Sequence, residues 1–343
     1  MSPAPSQPVP SHAGERSPRH VLVTGAGGGI GAAICGAFAA DGCTVTASDI
    51  RAEALAEQAK RFRGTPGTSD TSGISGTSLG TLVADLSDAE AAAGLVERAR
   101  DLAGREPDVL VNAGGIYPAT PLTEMTAAAW DRVMDVNVRA AMLTSVAFAR
   151  LLTAAGRPGT IVNITSGAAL RARYGAAHYS ASKAALEMLT RSCAVEFGPL
   201  GIRVNAVSPG FVTVGSAVNP VTDEYAAAVS VNPLGRPGTP EDIARAVRWL
   251  AGPEAAWMNG SVVRLDGGAS AGTTALPRHW PGVSQVQSGP PGGHGSAGAA
   301  ADPDGTEPAS VPDGRAPTSD PDGTAPASDP DGTAPEARRE AGR

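Results

Sequence analysis

The chain has 343 residues, a formal net charge of −7 and three cysteines. Ten acidic residues and five arginines in residues 277–343 account for −5 of that charge, which leaves −2 for the rest and no positive surface for nucleic acid. The sequence has no long apolar stretch, and its three cysteines and its histidines lack metal-ligand spacing, so we expect a cytoplasmic protein without a membrane span or a metal site.

Composition divides the chain into three parts. Residues 1–17 and 277–343 are rich in Pro, Gly, Ser and Ala, and the unit DPDGT occurs three times in the second segment. Such segments bury too little apolar surface to offset the entropy lost on ordering. The composition therefore predicts a disordered leader, one domain over residues 18–276, and a disordered tail.

Short apolar runs rich in Val and Ile alternate with longer helical patterns along the central part. The strand candidates are residues 20–25, 44–49, 81–86, 108–113, 160–166, 202–209 and 261–267. Runs that are apolar on both faces are typical of parallel strands covered on both sides. The alternation predicts the α/β class, as a single Rossmann-type domain with a doubly wound parallel sheet.

Two helix starts and one insertion are visible between these strands. Ser87 with Glu90 has the spacing of a capping box, and Thr239 followed by Pro240 predicts an N-cap and a first-turn proline. Residues 64–80 are Gly, Ser and Thr-rich and predict a flexible insertion before the third strand. Ligands bind at the carboxyl ends of the strands in such folds, so this insertion should lie far from the site.

The stretch TGAGGGIG, residues 24–31, follows the first strand and opens the first helix. Glycines here allow a tight turn and close approach of backbone N–H groups to a diphosphate at the helix N-terminus. Asp49 ends the second strand, where a carboxylate can accept hydrogen bonds from ribose hydroxyls. Together, the loop and the acid predict a dinucleotide site.

Tyr179 and Lys183 stand four residues apart in a helical pattern, so they should share one helix face. Alone, such a spacing is also typical of an exposed helix. The chain has two lysines against 25 arginines, which favours a specific need for an ammonium at this position. An ammonium about 4 Å from a phenolate stabilises it by about 4 kcal/mol, or roughly three pKa units, at an effective dielectric constant of about 20. We therefore expect the pKa of Tyr179 to lie near the operating pH.

The order and spacing of the motifs resemble the short-chain dehydrogenase/reductase family over about residues 20–270. The matching motifs are the glycine pattern of 24–31, Asp85-Leu86, NAGG at 112–115, Asn137, Ser166, YSASK at 179–183, and SPG with Val212-Thr213 at 208–213. Two departures are present. Ala113 stands where the family usually has a second asparagine, and WMNG at 257–260 replaces a common I-T-G.

The resemblance implies roles for particular residues. Tyr179 would exchange a proton with the substrate oxygen while hydride passes to or from the nicotinamide, and Ser166 would hydrogen-bond the same oxygen. Asn137 would hold a helix distortion and a water that links Lys183 to solvent. The implied catalytic residues are Asn137, Ser166, Tyr179 and Lys183, and the implied cofactor contacts are Gly25, Gly29, Ile30, Gly31, Asp49, Asp85, Leu86, Asn112, Gly114, Tyr179, Lys183, Pro209, Gly210, Val212 and Thr213.

The cofactor is expected to be NAD(H). Asp49 would repel a 2′-phosphate, and Gly28 stands where NADPH-dependent reductases of the family commonly have arginine. Arg51 lies two residues past the acid and leaves some use of NADP(H) open. The resemblance also implies a homotetramer, with the helices after Thr126 and Tyr179 and the final helix and strand at the interfaces.

Substrate contacts are expected from residues 115–121, 171–177 and 211–235, whose small and apolar residues favour an uncharged alcohol or ketone. An alternative is a 3-oxoacyl-(acyl-carrier-protein) reductase, with a carrier-borne phosphopantetheine received by Arg171, Arg173 and Arg236. A third reading is a non-catalytic, cofactor-binding regulatory protein. For His178 we expect a substrate-side or surface role.

Overall fold

The computed structural model describes residues 19–63, 79–214 and 222–273. The predicted leader 1–17, the predicted tail 277–343 and residues 64–78 of the predicted insertion lie outside the described residues. Leu79 and Gly80, which composition placed in the insertion, belong to a strand.

Seven parallel strands form one sheet in the order β3-β2-β1-β4-β5-β6-β7. The strands are β1 (His20–Thr24), β2 (Thr44–Asp49), β3 (Leu79–Val83), β4 (Val109–Asn112), β5 (Gly159–Ile164), β6 (Ile202–Pro209) and β7 (Val262–Leu265). The strand order reverses between β1 and β4, which opens a crevice at their carboxyl ends. The predicted doubly wound parallel sheet is confirmed.

Helices cover both faces of the sheet. They are α1 (Gly29–Ala40), α2 (Ala52–Arg63), α3 (Ala89–Ala93), α4 (Leu95–Ala103), α5 (Ala127–Met134), α6 (Ala140–Ala154), α7 (Ala177–Phe197), α8 (Asp223–Val229) and α9 (Pro240–Ala251). Val21 and Val23 of β1 pack into the layer with α1 and α9, whereas Leu22 packs into the layer with α4, α6 and α7. This alternation follows from the two-residue period of a strand. No helix in the described ranges has the length and apolarity that crossing a membrane requires.

The predicted cap of α9 is present, because the Thr239 hydroxyl accepts the Asp242 N–H and the Asp242 carboxylate accepts the Thr239 N–H. The predicted capping box of Ser87 with Glu90 is wrong. Asp88 caps α3 instead, with its carboxylate accepting the Glu90 N–H at 2.9 Å. The Ser87 hydroxyl donates to the Asp85 carboxylate at 2.7 Å, in the turn that precedes Asp88.

Candidate active site

The glycine-rich loop between β1 and α1 has no room for a side chain at Gly25 or Gly31. Gly25 has a φ of +65°, and a Cβ there would lie 2.6 Å from the Gly114 Cα. A Cβ on Gly31 would collide with the Gly25 carbonyl. The loop therefore lies directly against the backbone after β4, with the N-terminus of α1 above it. This cradle fits the diphosphate of a dinucleotide.

Asp49 lies under the same loop at the end of β2 and is only 8% exposed. Its carboxylate accepts the Gly27 N–H at 2.9 Å, the Arg51 N–H at 3.0 Å and the Arg51 Nε–H at 3.1 Å. A carboxylate oxygen has more than one lone pair, so these bonds leave capacity for ribose hydroxyls. The geometry therefore fits the adenosine end of the same dinucleotide.

Asn112 does not present its side chain to the crevice. Its amide donates to the Ser145 hydroxyl at 3.2 Å and to the Asn163 side-chain oxygen at 2.9 Å, and it accepts from the Thr144 hydroxyl at 2.8 Å. All of these groups are buried. The Asn112 side chain therefore joins β4, β5 and α6. Its role toward a ligand is to hold the backbone of residues 113–115 in position.

Asp85 and Leu86 follow β3 in the chain. The exposed Asp85 carboxylate accepts the N–H and hydroxyl of Ser87 at 2.8 and 2.7 Å, and this hydrogen bonding lowers its pKa. Leu86 packs on Gly114, because a Cβ on that glycine would collide with the Leu86 side chain. Leu86 therefore supports the loop that faces the glycine cradle.

A cavity of about 1010 Å³ opens beyond the carboxyl ends of the strands. Seven of the residues predicted for the site line it, namely Ile30, Ser166, Tyr179, Lys183, Pro209, Gly210 and Val212. Thr213 is exposed next to it, with its N–H donating to the Gly238 carbonyl at 3.1 Å. The crevice predicted at this edge of the sheet thus collects residues from four separate stretches of the chain.

Helix α7 places Tyr179 and Lys183 one turn apart in the cavity wall. The Lys183 Nζ lies 5.8 Å from the centroid of the Tyr179 ring and donates to the Ile164 carbonyl at 2.9 Å. Ser166 follows β5, and its hydroxyl accepts the Ala168 N–H at 3.1 Å. The Ser166 side chain also acts on the Tyr179 phenol and lowers its pKa. The three residues therefore line one wall of the cavity.

The expected lowering of the Tyr179 pKa is wrong for this structure. Burial raises the pKa of Tyr179, and hydrogen bonding from Ser166 and the charge of Arg173 offset this only in part. Burial also lowers the pKa of Lys183 to about 8. The Tyr179 phenolate and the Lys183 ammonium would both be poorly solvated in the cavity wall, and the ammonium donates its hydrogen bond to the Ile164 carbonyl. The cost of desolvation therefore outweighs the attraction between the two charges.

Asn137 lies in a π-helical turn, Asp135–Arg139, between α5 and α6. Its amide accepts the Ile116 N–H at 2.8 Å and donates to the Ile116 carbonyl at 2.9 Å and to the Ser182 hydroxyl at 3.0 Å. A helix distortion at Asn137 is therefore present. The amide joins the loop after β4 to α7, next to Lys183. The water that would link Lys183 to solvent stays a prediction.

Two aromatic residues of the cavity were not singled out from the sequence. The Tyr117 ring lies 5.9 Å from the Tyr179 ring, and the Tyr225 hydroxyl accepts from Arg173 at 2.6 Å. The chain has four tyrosines, and all four, including Tyr174, line this cavity. The scarcity of tyrosine is the signal that could have identified them.

Two other expectations need correction. His178 is fully buried in α7, with no hydrogen-bond partner for either ring nitrogen among the described residues, so it has no substrate-side or surface position. Burial lowers its pKa. Arg236 pairs with Asp242 at 2.7 and 3.2 Å outside the cavity, whereas Arg171 and Arg173 line it. Thus only two of the three arginines considered for a carrier group face the site.

Comparison with known proteins gives the family. A family model described as enoyl-(acyl carrier protein) reductase matches residues 25–270. This chain belongs to the short-chain dehydrogenase/reductase family. As a member, it is an NAD(P)-dependent oxidoreductase that acts on hydroxyl or keto groups.

Two curated relatives each match 72% of this dehydrogenase/reductase chain. The mouse (3R)-3-hydroxyacyl-CoA dehydrogenase is 37% identical over 250 residues, which are 72% of this chain and 94% of the relative. The 3-oxoacyl-(acyl-carrier-protein) reductase of Thermotoga maritima is 35% identical over 248 residues, 72% of this chain and 96% of the relative.

Solved structures with the same fold contain either nicotinamide cofactor. A 4-hydroxyisoleucine dehydrogenase complexed with NADH is 31% identical, with a TM-score of 0.65, and the match covers 74% of this chain and all of that chain. A protein from Agrobacterium tumefaciens with bound NADP is 34% identical, with a TM-score of 0.64, and the match covers 74% and 96% of the two chains. Family membership therefore shows NAD(P) use.

Proposed function

We propose that this enzyme transfers hydride between NAD(H) and an alcohol or ketone, with Tyr179 as the general acid and base. The observation that carries this proposal is the meeting of Ser166, Tyr179 and Lys183 in one cavity wall, beyond the glycine cradle. A bound nicotinamide supplies the hydride or accepts it. The protein has to supply or remove one proton at the substrate oxygen.

In carbonyl reduction the Tyr179 phenol donates its proton to the substrate oxygen, and in alcohol oxidation the phenolate takes that proton back. Burial raises the pKa of Tyr179, so the phenol is protonated and prepared to act as an acid. Ser166 donates a hydrogen bond to the same oxygen and stabilises its developing charge. Lys183 stabilises the phenolate that remains, and Asn137 holds the neighbouring loop in place.

A preference for NAD(H) over NADP(H) is part of the proposal. Its support is the buried Asp49 carboxylate beneath the loop and the absence of a cation at Gly28. Arg51, whose side chain is 41% exposed, already pairs with Asp49 at 3.1 Å. The ion pair keeps its guanidinium on the carboxylate, where it offsets part of the negative charge.

A 3-oxoacyl-(acyl-carrier-protein) reductase is the second candidate. Arg171 and Arg173 in the cavity lining favour it, as does the similarity to the Thermotoga maritima enzyme. A non-catalytic regulatory role is disfavoured because Tyr179 and Lys183 are both present and share the cavity.

The test is turnover with a panel of alcohols, ketones and 3-oxoacyl thioesters, followed by nicotinamide absorbance. Tyr179→Phe should lower turnover by about 100-fold or more, since a positioned acid is typically worth that much, while NADH affinity stays within threefold. Tyr174→Phe is the matched control, because Tyr174 lines the same cavity but is 90% exposed. Retention of turnover within tenfold in Tyr179→Phe would contradict the proposed role.

We also propose a cytoplasmic homotetramer. The exposed side chains of Met188 and Val195 stand seven residues apart on one face of α7, as an interface helix requires. The three cysteines are buried free thiols, which suits a reducing compartment. Light scattering tests the assembly, and a monomeric mass would refute it.

A further inference from the structure

Two exposed arginines give the substrate end of the cavity more positive than negative charge. Arg171 and Arg173 both line it, and neither lies within 4.0 Å of a carboxylate among the described residues. Asp266 also lines the cavity, but its carboxylate accepts the N–H groups of Gly268 and Ser270 at 3.0 and 2.9 Å and so holds its own turn. A cation without a counter-ion in a cavity wall favours an anionic ligand.

The Arg173 guanidinium is held in place by a neutral partner. It donates one hydrogen bond to the Tyr225 hydroxyl at 2.6 Å, and Tyr225 lies on α8 across the cavity. A guanidinium has five N–H donors, so most of its donors stay available for a forked bond to an oxyanion. Arg171 differs, since it is tied to the Ala269 carbonyl at 2.7 Å and supports the rim.

Arg173 lines the same cavity as the reacting groups Ser166 and Tyr179. Its charge acts on the Tyr179 phenol and lowers the pKa of that group against the effect of burial. An oxyanion on Arg173 and a carbonyl at Tyr179 can therefore belong to the same small molecule. The phosphates of a long pantetheine-bearing substrate would lie much farther from the carbonyl.

We propose that the substrate is a hydroxy or oxo acid whose oxyanion is bound by Arg173 while its hydroxyl or keto group faces Tyr179. This inference rests on the proposed function, and it replaces the expectation of an uncharged alcohol or ketone. We choose carboxylate as the oxyanion, because a small acid can span a cavity of about 1010 Å³ that both Arg173 and Tyr179 line. A phosphate of an acyl-CoA shares its chemistry and is distinguished by the test.

The experiment compares kcat/KM for 4-oxocyclohexanecarboxylate, its methyl ester and acetoacetyl-CoA. The acid and the ester present the same ketone and differ in charge. We expect the acid to exceed the ester by at least tenfold, and Arg173→Ala to lower the acid-to-ester ratio by about 10- to 100-fold. Arg150→Ala is the matched control, because Arg150 is an exposed arginine on α6 outside the cavity. Its ratio should equal that of the unmodified enzyme.

Tyr225→Phe tests whether the preference for the acid comes from the charge of Arg173 or from the hydrogen bond that joins Arg173 to α8. It removes the partner of Arg173 without removing the charge, so the preference for the acid should persist. An acid-to-ester ratio that Arg173→Ala leaves unchanged overturns the inference while the proposed function stands. Acetoacetyl-CoA turnover that exceeds that of the acid and falls in Arg173→Ala overturns the inference of a small acid and assigns Arg173 to a phosphate.

If neither ketone is reduced, the result counts against the proposed function and not against the Arg173 site. A binding measurement then tests the inference. Isothermal titration of the NADH-loaded protein with cyclohexanecarboxylate then measures the Arg173 site directly. A Kd raised at least tenfold by Arg173→Ala supports the inference. No binding, or equal binding to both proteins, overturns it.

Discussion

The Asp49 carboxylate is the group that we expect to set the preference for NAD(H), and Asp49→Asn is the change that tests it. Asparagine keeps the shape of the side chain and an oxygen that can accept the Gly27 N–H, which lies 2.9 Å from the carboxylate. The substitution removes the negative charge and the ion pair with Arg51. The loop should therefore keep its conformation while the electrostatic discrimination is lost.

The size of the effect follows from Coulomb's law. A 2′-phosphate carries about −1.5 to −2 charges near neutral pH, by analogy with phosphorylated side chains. Each unit charge about 5 Å from the carboxylate costs about 3 kcal/mol at an effective dielectric constant of about 20. Arg51, at 3.1 Å from the carboxylate and partly exposed, offsets much of this repulsion. We expect a net penalty of about 2–3 kcal/mol, or about 30- to 150-fold in kcat/KM.

Steady-state kinetics with NADH and NADPH measure this preference as a ratio of kcat/KM values. Asp49→Asn should reduce the preference for NADH to within about fivefold. The matched control is Asp41→Asn, because Asp41 is a surface acid that pairs with Arg248 at 3.3 Å after α1. Asp41→Asn should leave the ratio unchanged.

The reasoning would be refuted by an NADPH preference in the unmodified enzyme. It would also be refuted if the ratio in Asp49→Asn stayed within twofold of the original value, because the carboxylate would then not cause the discrimination. Gly28→Arg offers an independent check, since a Cβ at this position meets only the Gly25 carbonyl, at 3.4 Å, and the added cation should favour NADPH.

Two further predictions concern the cradle and the buried lysine. Gly25→Ala should weaken NADH binding more than tenfold and lower the melting temperature, because Gly25 has a φ of +65° and the added Cβ would lie 2.6 Å from the Gly114 Cα. The control is Gly36→Ala on α1, where a Cβ meets nothing within 4 Å. Gly36→Ala should change neither NADH binding nor the melting temperature. Burial lowers the pKa of Lys183 from 10.5 to about 8, so between these pH values the unfolded chain binds a proton that the folded enzyme does not. The unfolding free energy of the enzyme should therefore rise relative to Lys183→Met as pH increases from 8 to 10.5, and parallel pH profiles in denaturant titrations would contradict this.

Patterns within short stretches were enough to predict the fold. The run HVLVT forms β1 with side chains buried on both faces, and Thr239 caps α9 as its spacing indicates. A strand that is buried on both faces has a continuous run of apolar residues, and a helix cap depends on two residues that are three positions apart. Such features can be predicted because cause and consequence lie close together in the chain.

Element boundaries were less predictable. The third strand was expected at residues 81–86 and lies at Leu79–Val83, because its register is set by pairing with β2, where Asp49 stands opposite Val83. Ser87 was expected as a cap, but Asp88 stands at the N-cap position and its carboxylate accepts the Glu90 N–H. In both cases the boundary depends on backbone geometry that the local residues do not specify.

The sequence by itself determined the family motifs, their order, and the presence of Tyr179 and Lys183 on one helix face. Only the tertiary structure decided the direction of their pKa shifts, since desolvation depends on the groups that surround a side chain in space. Likewise, Arg173 and Arg236 are the same residue type on two different loops. Asp242 pairs with Arg236, whereas Arg173 lines the cavity beside a neutral tyrosine, because packing brings each guanidinium to partners that its position in the chain does not specify.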